Sequence, residues 1–211
     1  SVAVTFAVYL PSFSTALLDR KRDAIRELAN AAWSILAHYE LQERTGAMTR
    51  TEAQGMARDR VGSLRYGPEG KDYFWLQDMH PRMVMHPYRR DLDGKDLSDF
   101  RDRAGHLIFL EFAALVRDHD EGYISYVWQW KDDPSRLAPK ESYVKGFAPW
   151  GWIIGTGVYT EDVARETRAA MLGVVRVSLA VTLLVGLLLL LVVRQAMRMA
   201  RAGAEFEHAL S

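Results

Sequence analysis

The 211-residue sequence contains no cysteine. This absence excludes thiol catalysis, zinc sites built from Cys-x-x-Cys pairs and a disulfide framework. The sequence also lacks an excess of charge of either sign, because 27 lysines and arginines balance 27 aspartates and glutamates. Since no strongly basic face is implied, nucleic acid is not expected as a partner.

Familiar catalytic motifs are missing too. The sequence has no Gly-x-Ser-x-Gly, no His-Glu-x-x-His and no phosphate-binding glycine loop. The spacing of His80 and His86 matches no zinc pattern, and the acidic stretch 91–99 lacks the terminal glutamate of a calcium loop. We therefore predict that the chain is not an enzyme and holds neither a metal nor a cofactor.

Long apolar runs are few, although 49% of the residues are hydrophobic. Residues 177–193 carry no charge, and residues 171–175 extend this run upstream. At about 1.5 Å per residue the stretch crosses a hydrocarbon core of about 30 Å, which predicts a transmembrane helix at 171–193. The apolar residues 1–11 are interpreted as the end of a first membrane helix or as a signal region. A chain that starts with serine is then a fragment or a processed protein.

The segment between these apolar ends, residues 12–167, carries three helical patterns. An apolar stripe with helical spacing predicts a long helix over residues 12–43. The sequence Thr49-Arg50-Thr51-Glu52 has the spacing of a capping box and predicts a second helix that ends near Gly67. A third, amphipathic helix is predicted at 107–119.

Four stretches have the alternating or apolar pattern of β-strands. The predicted strands are residues 72–78, 123–131, 141–147 and 152–159. Residues 132–139 are polar and are predicted to form a loop, whereas residues 148–151 form the turn of a hairpin between the last two strands. The order predicts an α+β fold, a mostly antiparallel sheet with helices on one face.

An ordered set of short motifs resembles a known family, the single Cache sensor domains of the second type. The motifs are Arg65-Tyr66-Gly67, Asp72-Tyr73-Phe74-Trp75, His86-Pro87, Gly122-Tyr123, Pro139-Lys140, Ser142-Tyr143-Val144, Gly151-Trp152 and Gly155-Thr156-Gly157-Val158-Tyr159. The resemblance covers about residues 17–165. Such domains occur in bacterial chemoreceptors and sensor histidine kinases.

The resemblance implies a long N-terminal helix on a PAS-like antiparallel sheet, followed by a transmembrane helix. It implies a periplasmic sensor domain at residues 12–167, held in the inner membrane, with residues 194–211 starting a cytoplasmic linker to a signalling module. It also implies a homodimer and a small carboxylate ligand such as acetate, propionate or pyruvate.

Lys140 is the first candidate for binding such a ligand, because an ammonium group supplies a point charge for a carboxylate. A lone lysine can equally be a solvated surface residue, and the resemblance favours the binding role. His86 has several interpretations from the residues alone, namely metal ligand, pH sensor or turn residue. The resemblance places His86 in a loop over the site, where it would donate a hydrogen bond to the carboxylate. We expect Tyr143 and Tyr126 to donate further hydrogen bonds to it.

Aromatic residues on the predicted strands supply the walls of the candidate pocket. Tyr73 and Trp75 share one face of their strand, and Tyr126 and Trp128 share one face of theirs. Aromatic faces of this kind are commonly hydrophobic core, but a small binding site also needs apolar walls with a few aimed polar groups. We expect at least one of these faces to line the pocket.

The main functional hypothesis is therefore a ligand-sensing domain that transmits its signal through the second membrane helix. An alternative is a membrane-anchored interaction module without a small ligand. A membrane-tethered hydrolase is a third possibility, and it would need a nucleophile and a base in one cleft.

Overall fold

A computed structural model of the chain describes the backbone of residues 2–210 and the side chains of residues 15–199. The interpretation of residues 1–11 as a membrane or signal segment lies outside the described side chains. The chain divides into two units, Ser1–Ala164 and Arg165–Ser211. All six tryptophans belong to the first unit.

The elements follow the predicted order, with one additional strand. The helices are α1 (Val2–Arg44), α2 (Arg50–Ser63), α3 (Ile108–His119) and α4 (Thr160–Leu210); the strands are β1 (Phe74–Asp78), β2 (Met83–Met85), β3 (Glu121–Trp130), β4 (Asp133–Phe147) and β5 (Trp152–Tyr159). The strands form one antiparallel sheet in the order β2-β1-β5-β4-β3. The α+β fold, the long first helix and the final hairpin are thus confirmed.

The sheet is covered on both faces. Successive strand residues point to opposite faces, so Phe74 and Leu76 of β1 pack in a cluster with α1 and α2. Tyr73 and Trp75 point to the other face and pack in a cluster with α3. The expectation of helices on one face is therefore wrong, and the reason is that β1 is apolar on both sides.

The start of α2 confirms the predicted capping box. The Glu52 backbone N–H donates to the Thr49 hydroxyl at 3.3 Å, and the Thr49 backbone N–H donates to the Glu52 carboxylate at 2.8 Å. Two N–H groups that the helix itself cannot satisfy are paired in this way.

Two predicted loops form strand instead. The connection after His80 contains β2, whose three residues are too few for a clear alternating pattern. Residues 133–139 extend β4, so only Lys131 and Asp132 connect it to β3. Lys131 adopts a positive φ of 49°, which makes the tight turn possible. The polar composition of residues 133–139 reflects exposure of that end of the hairpin and does not break the strand.

Strand β5 lies in the sheet between β1 and β4 and passes directly into α4. Gly155 of β5 pairs with Trp75, and a Cβ atom at position 155 would collide with the indole ring of Trp75. The glycine therefore lets the ring lie against the strand backbone. Tyr159 is the last residue of β5, and Thr160 is the first of α4.

The second unit contains the predicted apolar run. Among the described residues, one helical stretch, Thr160–Met199, is long and apolar enough to cross a membrane. It contains the predicted segment 171–193. Its apolar side chains are exposed, as expected for a surface that faces lipid.

Candidate ligand pocket

A small pocket lies between the sheet and α3. Its lining residues come from β1, β3, α3 and the segment after β2, and they are Tyr73, Trp75, His86, Ile108, Phe109, Phe112, Tyr126 and Trp128. Its wall is largely aromatic.

Lys140 is buried beside this pocket, with only 2% of its surface exposed. It lies on β4 directly opposite Tyr126 of β3, and its Nζ donates a hydrogen bond to the Tyr73 hydroxyl at 3.0 Å. The Nζ atom is 4.1 Å from the ring centroid of Tyr73, 4.9 Å from that of Trp75 and 5.2 Å from that of Tyr159. Aromatic faces at these distances attract a cation but do not neutralise it.

The charge of Lys140 has no direct counter-ion in the part of the chain that the structure describes. Burial lowers the pKa of Lys140 to about 7, and the more distant carboxylate of Asp72 opposes this shift. A buried ammonium group is costly unless a negative charge comes close to it. A negative charge beside Lys140 would offset this cost.

His86 presents one defined face to the pocket. Its Nδ1 accepts hydrogen bonds from the backbone N–H groups of Tyr88 at 3.2 Å and Arg89 at 2.9 Å. Burial, together with the nearby charge of Lys140, lowers the pKa of His86 well below its ordinary value, so the ring is neutral. Because Nδ1 is an acceptor, the ring proton is assigned to Nε2, which makes His86 a hydrogen-bond donor.

The other polar groups of the pocket wall are also donors. Burial raises the pKa of Tyr73 and of Tyr126, so both hydroxyls stay protonated. Tyr126 is hydrogen-bonded to the Ser142 hydroxyl at 2.9 Å. The indole Nε1 of Trp75 is buried without a hydrogen-bond partner among the described residues. A wall made of donors is suited to an acceptor such as a carboxylate.

Six of the seven predicted site residues come together here. Five of them line the pocket, namely Tyr73, Trp75, His86, Tyr126 and Trp128, and Lys140 contacts the same wall. Both aromatic faces that the strand parity singled out therefore border one space.

Tyr143, the seventh predicted site residue, does not join them and is not among the residues that line the pocket. It packs with Ile25 and Ala29 of α1 on the opposite face of the sheet. Positions 140 and 143 of a continuous strand differ by an odd number, so their side chains point to opposite faces. The alternation of residues along β4 contains this signal.

Several residues of the site were not predicted. Tyr159 pairs with Lys140 across β4 and β5, and this register could have been read from the hairpin. Ile108 and Phe112 lie on the predicted amphipathic helix, but the sequence does not say which face of the sheet that helix covers. Asp72 acts through long-range charge, for which a sequence carries no pattern.

A second buried lysine lies close to the site and is paired quite differently. Lys131, in the β3–β4 turn, is 2% exposed, and its Nζ lies 3.1 Å from Glu69, 4.0 Å from Asp72 and 3.2 Å from Asp162. Burial alone would lower the pKa of Lys131, but the carboxylates outweigh burial and the pKa is raised. Lys131 is thus a charged, structural lysine.

Metal-binding residues do not cluster in the described part of the chain, where no group of three or more histidine, aspartate or glutamate side chains could hold an ion. The pocket wall itself is dominated by aromatic and aliphatic carbon.

Comparison with known proteins gives consistent matches. The family model of the single Cache domain 2 matches residues 17–172. The chain is 38% identical over 182 residues to the methyl-accepting chemotaxis protein McpP of Pseudomonas putida, a match that covers 86% of this chain and 33% of McpP. It is 29% identical over 164 residues to the sensor histidine kinase MctS of Rhizobium johnstonii, covering 78% of this chain and 34% of MctS.

A solved structure extends the comparison to three dimensions. It belongs to a Cache chemosensory domain whose structure explains carboxylic acid recognition; it is 39% identical to this chain and superimposes with a TM-score of 0.65. The match covers 69% of this chain and 97% of that domain. The chain spans about a third of the length of each of the two curated relatives.

Proposed function

The chain belongs to the single Cache domain 2 family, and on this basis we propose that it senses a small carboxylate outside the cytoplasm. The observation that supports the proposal is Lys140, a buried lysine beside a pocket with no direct counter-ion among the described residues. A carboxylate in the pocket would supply the missing negative charge. The related Cache domain of known structure recognises carboxylic acids, which supports this choice of ligand.

The proposed binding mode uses the donors of the pocket wall. The carboxylate pairs with Lys140 Nζ and accepts hydrogen bonds from the Tyr73 hydroxyl and from His86 Nε2. Its short carbon chain contacts the apolar wall formed by α3 and Trp128. The proposed ligand is an acid of the size of acetate, propionate or pyruvate.

Signal transmission would follow the strand that pairs with Lys140. Lys140 is opposite Tyr159, and the Tyr159 hydroxyl donates to the Gln129 carbonyl at 2.7 Å and accepts from the Lys131 N–H at 3.0 Å. If these strands can adopt two arrangements and the ligand binds one of them more tightly, ligand binding shifts the population toward that arrangement. Because α4 starts at the next residue, a shift of Tyr159 would move the start of α4.

The cellular arrangement is proposed from the relatives. Helix α4 would cross the inner membrane and lead to a cytoplasmic signalling module, either of the chemoreceptor or of the kinase type. The long helix α1 would pair two copies into a homodimer. Such receptors act by changing the state of their output module, and the sensor domain itself performs no chemistry.

The proposal is tested by thermal unfolding of the full chain in detergent micelles, followed by tryptophan fluorescence. Acetate, propionate or pyruvate at one hundred times its Kd should stabilise the fold by about 2.7 kcal/mol. Lys140→Met should abolish this stabilisation. Lys145→Met is the matched control, because Lys145 lies on the same strand, where it pairs with Glu121 at 3.1 Å and Asn30 at 2.8 Å.

The outcomes separate the proposed sensor from its alternative. Stabilisation that is lost in Lys140→Met and kept in Lys145→Met supports carboxylate sensing at this pocket. If none of the three acids stabilises the wild-type chain, the proposal is wrong, and a membrane-anchored interaction module without a small ligand becomes the better description.

A further inference from the structure

We propose that the pocket binds its carboxylate together with one proton from solvent, so that the ligand enters as the equivalent of the undissociated acid. The inference rests on the proposed function and specifies the chemical form of the ligand. The balance is simple: neutral Lys140, one proton and one carboxylate give an ammonium–carboxylate pair. No covalent bond forms or breaks.

The first argument is the contrast between the two buried lysines. Lys131 and Lys140 are each 2% exposed. Lys131 has three carboxylates within 4.0 Å, whereas Lys140 is hydrogen-bonded to the Tyr73 hydroxyl and surrounded by aromatic rings. Since a buried charge without a partner is costly, a lysine in the second environment loses its proton instead.

The nearest acidic group does not change this conclusion. The Asp72 carboxylate is close enough to Lys140 to favour its charged form, but the pair forms no salt bridge. The Asp72 carboxylate lies 4.0 Å from Lys131 Nζ and already interacts with that ammonium group. Lys140 therefore shares Asp72 with a better-placed cation.

The other titratable groups around Lys140 keep one charge state near neutral pH. Tyr73 just before β1, Tyr126 on β3 and Tyr159 on β5 stay protonated, because burial raises the pKa of each. His86, in the segment after β2, is neutral because burial lowers its pKa. The residues that α3 contributes to the wall, Ile108, Phe109 and Phe112, do not titrate.

Lys140 is then the group whose charge changes when the ligand arrives. Burial lowers the pKa of Lys140 to about 7, and a carboxylate in direct contact raises it again. At pH 8 most binding events therefore take up a proton, whereas at pH 6 the lysine is already charged. The affinity should fall by about tenfold for each pH unit above 7 and should level off below pH 6.

The experiment is isothermal titration of the full chain in detergent with acetate, in buffers of different ionisation enthalpy. The dependence of the binding enthalpy on the buffer gives the number of protons taken up. We expect close to one proton at pH 8 and close to none at pH 6. In Lys140→Arg, whose side chain is always charged, any acetate binding that remains should show no uptake at pH 8.

Equal binding enthalpies in all buffers at pH 8 would overturn the inference while leaving the proposed function intact. If acetate, propionate and pyruvate all fail to bind at pH 6, both are wrong. A ligand-free measurement adds an independent check: in NMR spectra of the ¹³C-lysine-labelled chain, one Cε resonance should titrate near pH 7 and disappear in Lys140→Met. The absence of such a resonance would also overturn the inference.

Discussion

Lys140 lies directly opposite Tyr159 in the ladder between β4 and β5, and its Nζ is 5.2 Å from the centre of the Tyr159 ring. The first residue is the candidate partner of the ligand, and the second is the last residue before α4. The Tyr159 hydroxyl also donates a hydrogen bond to the Gln129 carbonyl of β3 and accepts one from the Lys131 N–H in the β3–β4 turn. The candidate ligand site and the start of α4 are therefore joined by one pair of facing residues.

The close contact between Gly155 and Trp75 leads to the first prediction. Gly155→Ala should destabilise the fold by about 1–3 kcal/mol, because the added methyl group would overlap the Trp75 indole and force it away from the sheet. Since Trp75 lines the pocket, the affinity for acetate should fall as well. Urea unfolding and calorimetric titration measure the two effects.

The matched control for this prediction is Gly55→Ala. Gly55 lies inside α2, and a Cβ atom there meets nothing within 4 Å. This substitution should stabilise the chain by about 0.5–1 kcal/mol and leave acetate binding unchanged. Equal effects of the two substitutions would show that the glycine–indole contact carries no special role.

The second prediction concerns the carboxylates around Lys131. Lys131→Met should lower the free energy of unfolding by about 2–4 kcal/mol, because it removes the cation that neutralises Glu69, Asp72 and Asp162. Urea unfolding followed by tryptophan fluorescence measures the change.

An exposed ion pair provides the comparison for Lys131. Lys71 pairs with Asp132 at 2.9 Å, but both side chains are 41% exposed. Lys71→Met should therefore cost less than about 1 kcal/mol. If Lys131→Met lowered the free energy of unfolding by as little as Lys71→Met, water would have to screen the Lys131 cluster despite its burial.

Sequence reasoning recovered the elements whose signals are local. The capping box at Thr49 and the aromatic alternation of β1 and β3 depend on neighbouring residues, and these predictions are confirmed. The same alternation placed Tyr73, Trp75, Tyr126 and Trp128 on two faces that border one pocket.

What the sequence left open depends on contacts between distant segments. Strand β2 has only three residues, and it exists because it pairs with β1. The extension of β4 through residues 133–139 follows from the two-residue turn at Lys131, whose positive φ is not typical of lysine. The side of the sheet that α3 covers, and with it Ile108 in the pocket wall, is fixed by tertiary packing.

Ile108 gives the third prediction, on ligand size. It is fully buried and lines the pocket from α3. Ile108→Val removes one methylene group, which should improve the binding of butyrate relative to acetate by about fourfold. The ratio of the two dissociation constants is measured by calorimetric titration.

Ile154→Val is the control for Ile108→Val. Ile154 is equally buried, but it packs in the cluster with α1 and α2 on the opposite face of the sheet. Both substitutions should destabilise the fold by about 0.5–1.5 kcal/mol, and only Ile108→Val should change the acid preference. A change of preference in both variants would indicate a general loosening of the domain.

The last prediction follows from the charge state of Lys140 in the ligand-free fold. Its pKa is lowered to about 7 in the folded chain, whereas an unfolded lysine titrates near 10.4. Between these values the unfolded chain binds more protons than the folded chain, so raising the pH favours folding. Wild type should gain about 2 kcal/mol of unfolding free energy relative to Lys140→Met between pH 7 and pH 9.

Urea unfolding of both chains at pH 7, 8 and 9, without added acid, measures this gain. The buried tyrosines do not interfere, because their raised pKa values place their titration above this window. Saturating acetate should flatten the pH dependence of the wild type, since the bound carboxylate keeps Lys140 charged in the folded state. Parallel pH profiles for wild type and Lys140→Met without ligand would mean that Lys140 is already charged in the empty pocket, and its partner would then have to be Asp72.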